Sequence, residues 1–86
     1  MIRITHLEPR ANSLLLLHFD DGTDKLLDIK PFIGDDALTR PLADPTYFQQ
    51  VRIYENGRGI FWPNKYDMCP DYLRYHAVDA RQVVAG

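Results

Sequence analysis

Two short turn sequences constrain the fold of this chain more than any other feature. Asp21-Gly22 and Asn56-Gly57 each lie between two apolar runs. Both pairs accept the positive φ angles that tight hairpin turns require, and Asn-Gly most favours a type I′ turn. We therefore expect two β-hairpins, with strands at residues 13–19 and 23–29 in the first and at 51–55 and 59–62 in the second.

A lead strand is expected before the first hairpin. Residues 2–7 alternate with the period of two that suits a strand with one buried face, placing Ile2, Ile4 and His6 together, and the segment that begins with Pro9 ends this strand. Residues 14–17 are four consecutive leucines. Because such a run puts apolar groups on both faces, the strand at 13–19 is predicted to be central in its sheet.

Two prolines predict the starts of short helices. Asp44 is a good N-cap and Pro45 suits the first helical position, so a helix is expected over residues 45–50 with Tyr47 and Phe48 facing inward. Pro70, after Cys69, predicts a second helix that runs through Tyr75. The loop at 31–45 offers four apolar anchors, Phe32, Ile33, Leu38 and Leu42.

These elements predict one α+β domain over residues 1–86. We expect about five mostly antiparallel strands, arranged as two hairpins plus the lead strand, together with two short helices. The tail from about residue 79 is expected to be loose. Nothing in the pattern predicts the strand order.

Composition removes several classes of function. The formal charge is −2 and no run of like charges occurs, which argues against direct nucleic-acid binding. The longest apolar run is strand-sized and far below the roughly 20 residues that span a bilayer, so no membrane association is expected. The N-terminus lacks a signal peptide and Cys69 is the single cysteine, so we expect a cytoplasmic protein.

The segment Trp-Pro-Asn-Lys-Tyr-Asp-Met-Cys-Pro-Asp-Tyr-Leu at residues 62–73 resembles the C-terminal signature of a family of short bacterial proteins, the domain of unknown function 2442. The upstream layout also resembles that family, with Phe-x-Asp-Gly at 19–22, then Asp28, then a short helix around Phe48 that leads into Val51. The family usually carries glycine soon after Trp-Pro-Asn, where this chain has Lys65, so the turn there could differ in shape.

The resemblance covers nearly the whole chain but implies no established activity. It implies a second small protein as partner, in toxin–antitoxin-like pairs. Some relatives are fused to a helix-turn-helix domain, but residues 70–86 are too few to hold its two helices. Direct DNA recognition is therefore not expected here.

Aromatic residues crowd the C-terminal third and sit among arginines, a composition that interface hot spots share. We therefore predict a protein-interaction module and place its contact surface at Trp62, Pro63, Asn64, Tyr66, Asp67, Asp71 and Tyr72. The alternative is that these rings build the core, which a domain of this size needs. A surface that contains Trp62 or Tyr66 would favour the interface.

Two other functions stay open. Asp67, Cys69 and His76 could serve a small-ligand binder or a minor enzyme, with Cys69 as nucleophile and His76 as base, although the balance of the sequence is against an enzyme. A structural homodimer without a ligand would follow from unpaired sheet edges. His6, His18, His76 and Cys69 lack the close spacing of zinc ligands, so neither a metal nor another cofactor is expected.

Overall fold

A computed structural model describes residues 2–79, and it has an α+β fold with two antiparallel sheets, as the sequence predicts. In chain order its elements are β1 (Ile4–Arg10), β2 (Leu14–Phe19), β3 (Asp24–Asp28), α1 (Pro45–Phe48), β4 (Arg52–Ile53), β5 (Ile60–Phe61), β6 (Asp67–Met68), α2 (Pro70–His76) and β7 (Val78–Asp79). The large sheet is four-stranded, in the order β1-β2-β3-β7, and the small sheet is three-stranded, in the order β4-β5-β6.

Strand β2 is central in the large sheet, between β1 and β3, which confirms the interpretation of the leucine run. Leu15 and Leu17 are fully buried on its inner face. Leu14 and Leu16 lie on its outer face and are partly exposed. Both faces of the strand are therefore apolar, but only one face is covered by the rest of the described chain.

Strand β1 runs further than predicted, through Pro9 to Arg10. Proline lacks an amide donor and is tolerated on an edge strand, and β1 is at the edge of the large sheet. The register shifts between Ile4 and His6, which leaves Thr5 as an extra residue. This bulge places Ile4 on the buried face and turns His6 outward, so the predicted grouping of the two on one face is wrong.

The second hairpin exists, but its turn is not of type I′. That type needs positive φ at both central residues. Gly57 has φ 74° whereas Asn56 is not among the residues with positive φ. The Gly57 amide donates to the Tyr54 carbonyl at 2.8 Å, and the Ile4 amide donates to the Gly57 carbonyl at 2.9 Å. The hairpin tip thereby joins the small sheet to the large one.

The sequence analysis missed β6 and β7, each of two residues. Strands this short carry no periodic signal, and both are placed by pairing, β6 with β5 and β7 with β3. Asp79 of β7 pairs with Lys25 of β3, and the looseness of the tail beyond it stays a prediction. Residues 80–86, the rest of that prediction, lie outside the described part of the chain.

Both helices begin where proline predicts. The Asp44 carboxylate accepts the Thr46 amide at 3.0 Å and caps α1. Leu42 and Phe48 are buried, while Leu38 is 48% exposed and is not the anchor that the sequence predicted. No helix within residues 2–79 is long and apolar enough to cross a bilayer.

One hydrophobic core connects both sheets and both helices. Its largest fully buried side chain is Trp62, which follows β5. The other buried apolar residues come from the large sheet, the small sheet and the segments between them: Ile4, Leu15, Leu17, Phe19, Leu27, Ile29, Leu42, Phe48, Val51, Ile60, Met68 and Leu73.

Candidate functional site

Trp62 belongs to the core, which answers the question that the sequence left open. Its side chain is fully buried, and its Nε1–H donates to the Phe48 carbonyl at 3.1 Å. The indole ring lies 6.2 Å from the Phe48 ring and 5.9 Å from the Tyr66 ring, centre to centre. Trp62 therefore holds α1 against the small sheet and cannot itself contact a partner in this fold.

Asn64 ties the turn after Trp62 to two other segments. Its amide nitrogen Nδ2 donates to the Leu38 carbonyl at 3.0 Å, and its Oδ1 accepts the Tyr66 amide at 3.1 Å. Its backbone amide donates to the Tyr47 hydroxyl at 3.1 Å. Both the Trp and the Asn of the Trp-Pro-Asn signature are thus structural.

The remaining residues of the predicted contact surface reach solvent to different degrees. Pro63, Asp67 and Asp71 are exposed, Tyr72 is 42% exposed, and Tyr66 is half-buried. Burial raises the pKa of the Tyr66 phenol. The Tyr54 hydroxyl donates to Asp67 Oδ2 at 2.7 Å, and this hydrogen bond raises the pKa of Tyr54. That these residues form an interface stays a prediction.

Helix α2 is fixed to the fold by one face. Leu73 and Pro70 are buried in that face, and Arg74 reaches the first hairpin. The Arg74 guanidinium pairs with Asp21 Oδ2 at 2.7 Å and lies 5.4 Å from the centre of the Phe19 ring. The pKa of Asp21 is lowered, mainly by hydrogen bonds from the Thr23 hydroxyl and amide and further by Arg74. The opposite face of α2 is consequently held toward solvent.

Three rings on that outward face form a cluster with Phe32, which lies in the segment after β3. We name this cluster the aromatic ridge: Phe32, Tyr72, Tyr75 and His76. The His76 ring lies 4.4 Å from the ring of Tyr72, 4.9 Å from that of Tyr75 and 5.3 Å from that of Phe32, centre to centre. Tyr75 is 83% exposed. The spacing of residues 72, 75 and 76 places them on one side of a helix, a signal that the sequence already offered.

The ridge borders an apolar groove of about 300 Å³ where α2 meets the outer face of the large sheet. Val78 is 49% exposed beside it. The residues that line the groove are Leu14, Leu26, Asp28, Pro31, Phe32, His76 and Val78. Ridge and groove together form a continuous surface that is apolar yet open to solvent.

A comparison with known families decides where this chain belongs. The family model described as "Protein of unknown function (DUF2442)" matches residues 4–79. The chain belongs to the DUF2442 family. This confirms the resemblance inferred from the signature at residues 62–73. No curated protein and no solved structure matches the chain.

The turn at Lys65 has a glycine-like backbone in this member of the DUF2442 family. Lys65 has φ 74°, in the left-handed region where glycine is favoured. The Lys65 amide donates to the Trp62 carbonyl at 2.9 Å, and the Trp62 amide donates to the Tyr66 carbonyl at the same distance. Lys65 therefore adopts a backbone conformation that a glycine at this position would also favour.

The structure does not bring Cys69 and His76 together. Cys69 is exposed at the start of α2 and borders a shallow depression with Tyr66, Asp67, Met68 and Tyr72. His76 is at the other end of the helix and lines the apolar groove. His76 is seven positions after Cys69, which corresponds to about 10 Å along a helix. His76 is too far away to act directly as a base for the Cys69 thiol.

Metal-binding residues do not cluster in the described part of the chain. Within residues 2–79 no group of three or more His, Cys, Asp or Glu side chains is arranged to hold an ion. His6 and His18 nevertheless lie on neighbouring strands, with ring centres 5.3 Å apart. His18 Nδ1 also contacts the Asp24 carboxylate.

Proposed function

We propose that this protein is an interaction module that binds another protein through the aromatic ridge. The observation that carries the proposal is that three rings, Tyr72, Tyr75 and His76, are held outward on a helix whose other face is anchored. The His76 ring contacts both tyrosine rings and also the ring of Phe32. A side chain as large as Tyr75 at 83% exposure is left without cover by the described chain. Exposed tyrosines of this kind are typical of interface hot spots.

The anchoring of α2 favours binding as well as folding. Leu73 is fully buried and Arg74 bridges to the first hairpin, so the helix is held in place before a partner arrives. Tyrosine has few rotatable bonds, and here neighbouring rings restrict them further. Binding through the ridge would therefore cost little conformational entropy.

A small protein is the partner class that we propose. The groove beside the ridge is narrow, at about 300 Å³, and could receive one or two apolar side chains. The family resemblance implies a second small protein in an antitoxin-like, regulatory pair, which is a partner of this class. The proposal places this pairing in the cytoplasm.

The test is affinity capture from lysate of the source organism with tagged full-length protein. A Tyr72→Ser, Tyr75→Ser variant removes two rings of the ridge, while Tyr54→Ser makes the same change at a site of similar exposure, since Tyr54 is 37% and Tyr72 42% exposed. Circular dichroism establishes that each variant is folded. We expect the wild type and Tyr54→Ser each to capture one partner protein in stoichiometric amount. The double variant should not capture it.

The opposite pattern would contradict the proposal that the partner binds through the aromatic ridge. If the double variant keeps the partner while Tyr54→Ser loses it, the contact lies around Tyr54 and its hydrogen-bond partner Asp67, which belongs to the surface predicted from the sequence. If the folded wild type captures nothing under conditions in which a known pair from the same lysate is recovered, the interaction module itself is rejected.

A homodimer is the second candidate, and the outer face of the large sheet favours it. Leu14, Leu16 and Leu26 are only partly buried there, and Val78 is 49% exposed beside them. Light scattering across a range of concentrations measures the mass directly. A dimer that Leu16→Glu abolishes and Tyr75→Ser does not would assign the sheet face to self-association and leave the ridge to another protein.

A further inference from the structure

We propose that His6 and His18 form a binding site for a divalent transition metal, of the zinc class, on the outer face of the large sheet. The two residues are direct cross-strand partners on β1 and β2. Their ring centres are 5.3 Å apart and their planes are inclined by 46°. The ligands come from different strands, so spacing along the sequence does not reveal them.

The separation of the two rings suits one shared ion. With Zn–N bonds of about 2.1 Å, ring nitrogens about 1.1 Å from the ring centre and an angle of about 110° at the metal, two imidazoles on one ion have ring centres about 5 Å apart. The 5.3 Å between the ring centres of His6 and His18 is close to that separation.

The β-bulge at Thr5 is what creates the pair. The register shift between Ile4 and His6 moves His6 off the buried face and places it opposite His18. Bulges often re-aim a side chain at a functional position. Without the extra residue, His6 would follow Ile4 toward the core and the outer face would carry one imidazole instead of two.

Asp24 orients the central imidazole. It is the cross-strand partner of His18 on β3, and its Oδ1 contacts His18 Nδ1. The two nitrogens of an imidazole diverge, so this contact directs Nε2 of His18 away from β3. A carboxylate that accepts from the second nitrogen of a metal-bound histidine is the usual outer partner in such sites. Asp24 is therefore a positioning residue.

The site is open on its solvent side. The side chain of His18 is 33% exposed, and His6 is exposed. Since no third ligand is arranged within residues 2–79, water would complete the coordination shell and the ion would exchange freely. Imidazole suits zinc, copper and nickel rather than magnesium or calcium, which fixes the class of ion.

The test is calorimetric titration of tag-free full-length protein with ZnCl₂. We expect one ion per chain, with the Kd raised at least about tenfold by His6→Gln and by His18→Gln. The remaining histidine and the single cysteine of the chain supply the controls, because His76→Gln and Cys69→Ser should leave the Kd within about twofold of wild type. Circular dichroism checks that each variant is folded.

A second pair of variants tests the role of Asp24. Asp24→Ala should raise the Kd by roughly tenfold with unchanged stoichiometry, whereas Asp28→Ala, which removes a carboxylate from the same face of β3, should not. The proposal is overturned if the wild type binds no ion, if His6→Gln binds as tightly as wild type, or if binding is lost in His76→Gln or Cys69→Ser instead.

Discussion

The two sheets are held together in different ways. Strands β1, β2 and β3 have 7, 6 and 5 residues and pair along their lengths. Each strand of the small sheet has two residues, too few for the backbone ladder to account for its position. The large sheet is therefore stabilised by many similar contacts. The small sheet is positioned by a few side chains and glycines, and no neighbouring contact would replace one that is lost.

This difference teaches where the fold is vulnerable. In the large sheet a lost contact on the outer face leaves the ladder and the inner leucines in place. In the small sheet Trp62 both fills the core and donates to the Phe48 carbonyl, so one side chain supplies packing and connection together. We expect the loss of such a connecting side chain to cost more than the loss of a contact on the outer face of the large sheet.

The largest effect should come from Trp62→Ala. Removal of a fully buried indole leaves a cavity and takes the shorter of two hydrogen bonds from the Phe48 carbonyl, which keeps only the Val51 amide at 3.4 Å, and it should lower the free energy of unfolding by about 3–5 kcal/mol. Leu16→Ala, on the outer face of β2, should cost only about 1 kcal/mol because Leu16 is partly exposed. Urea unfolding measures both.

If Trp62→Ala does not fold, Trp62→Phe can be compared with Leu16→Ala instead. It retains a ring in the core but loses the hydrogen bond, and should cost about 1–3 kcal/mol. A Trp62→Phe loss no larger than that of Leu16→Ala would show that the small sheet is not the more sensitive region.

The next effect compares two glycines with positive φ. A Cβ at Gly59, in the small sheet, would lie 2.5 Å from the Met68 carbonyl oxygen of β6, and φ there is 146°. A Cβ at Gly22, in the first hairpin, would meet nothing within 4 Å, at φ 86°. Gly22→Ala should cost about 1 kcal/mol for the backbone alone, and Gly59→Ala more than about 2 kcal/mol, because β6 must move.

Thermal unfolding of the two alanine variants, scanned side by side, measures this difference. Equal losses would mean that the backbone conformation alone sets the cost and that the approach of β6 contributes nothing. A larger loss at Gly22 would reverse the proposed difference between the sheets.

The same contrast explains what the sequence could predict. The large sheet is built from local hairpin contacts, and the turn at Asp21-Gly22 together with the leucine run was enough to find β2 and its central position. β6 and β7 were missed because strands of two residues carry no periodic signal, and β7 in addition pairs with β3, which is distant in the chain. The type I′ prediction failed since the tip of the second hairpin is bonded to β1 through Gly57 and Ile4, a tertiary contact that overrides turn preference.

The candidate site was only partly predictable for a related reason. The aromatic crowding was visible, but the sequence does not separate rings that fill the core, such as Trp62, from rings that face solvent, such as Tyr75. The distinction depends on which face of α2 is anchored, and Arg74 anchors it through residues of the first hairpin. The sequence placed His6 on the lead strand and His18 on the first hairpin, but their pairing required the bulge, which the sequence did not predict.

One substitution next to the small sheet should stabilise the protein instead of destabilising it. Lys65 adopts φ 74° in the turn between Trp62 and β6, a conformation that costs a residue with a Cβ about 1–2 kcal/mol. Lys65→Gly relieves that cost but adds freedom to the unfolded chain, so we expect a net gain of about 0.5–1 kcal/mol. Lys65→Ala is the control and should give no gain because it keeps the Cβ. Urea unfolding that finds both variants equally stable would contradict strain at this turn.

The smallest effect should separate the two regions by pH. The hydrogen bond to Asp67 raises the pKa of Tyr54 above its ordinary 10.0, so its stabilisation of the small sheet is complete below pH 10.0 and is lost as the pH rises through the raised value. The pKa of Asp21 is lowered from 3.8, chiefly by Thr23, so its stabilisation of the first hairpin is present above pH 3.8 and is lost as the pH falls. Tyr54→Phe should therefore reduce the loss of stability in alkali without changing the loss in acid, and Asp21→Asn should do the reverse. Thermal midpoints measured from acid to alkali check this. Burial also raises the pKa of Tyr66, so Tyr54→Phe should still lose some stability in alkali. If both variants changed the loss of stability in the same pH range, the Tyr54–Asp67 and Asp21–Thr23 hydrogen bonds would not report on separate regions. The difference between the two sheets would then not extend to their electrostatics.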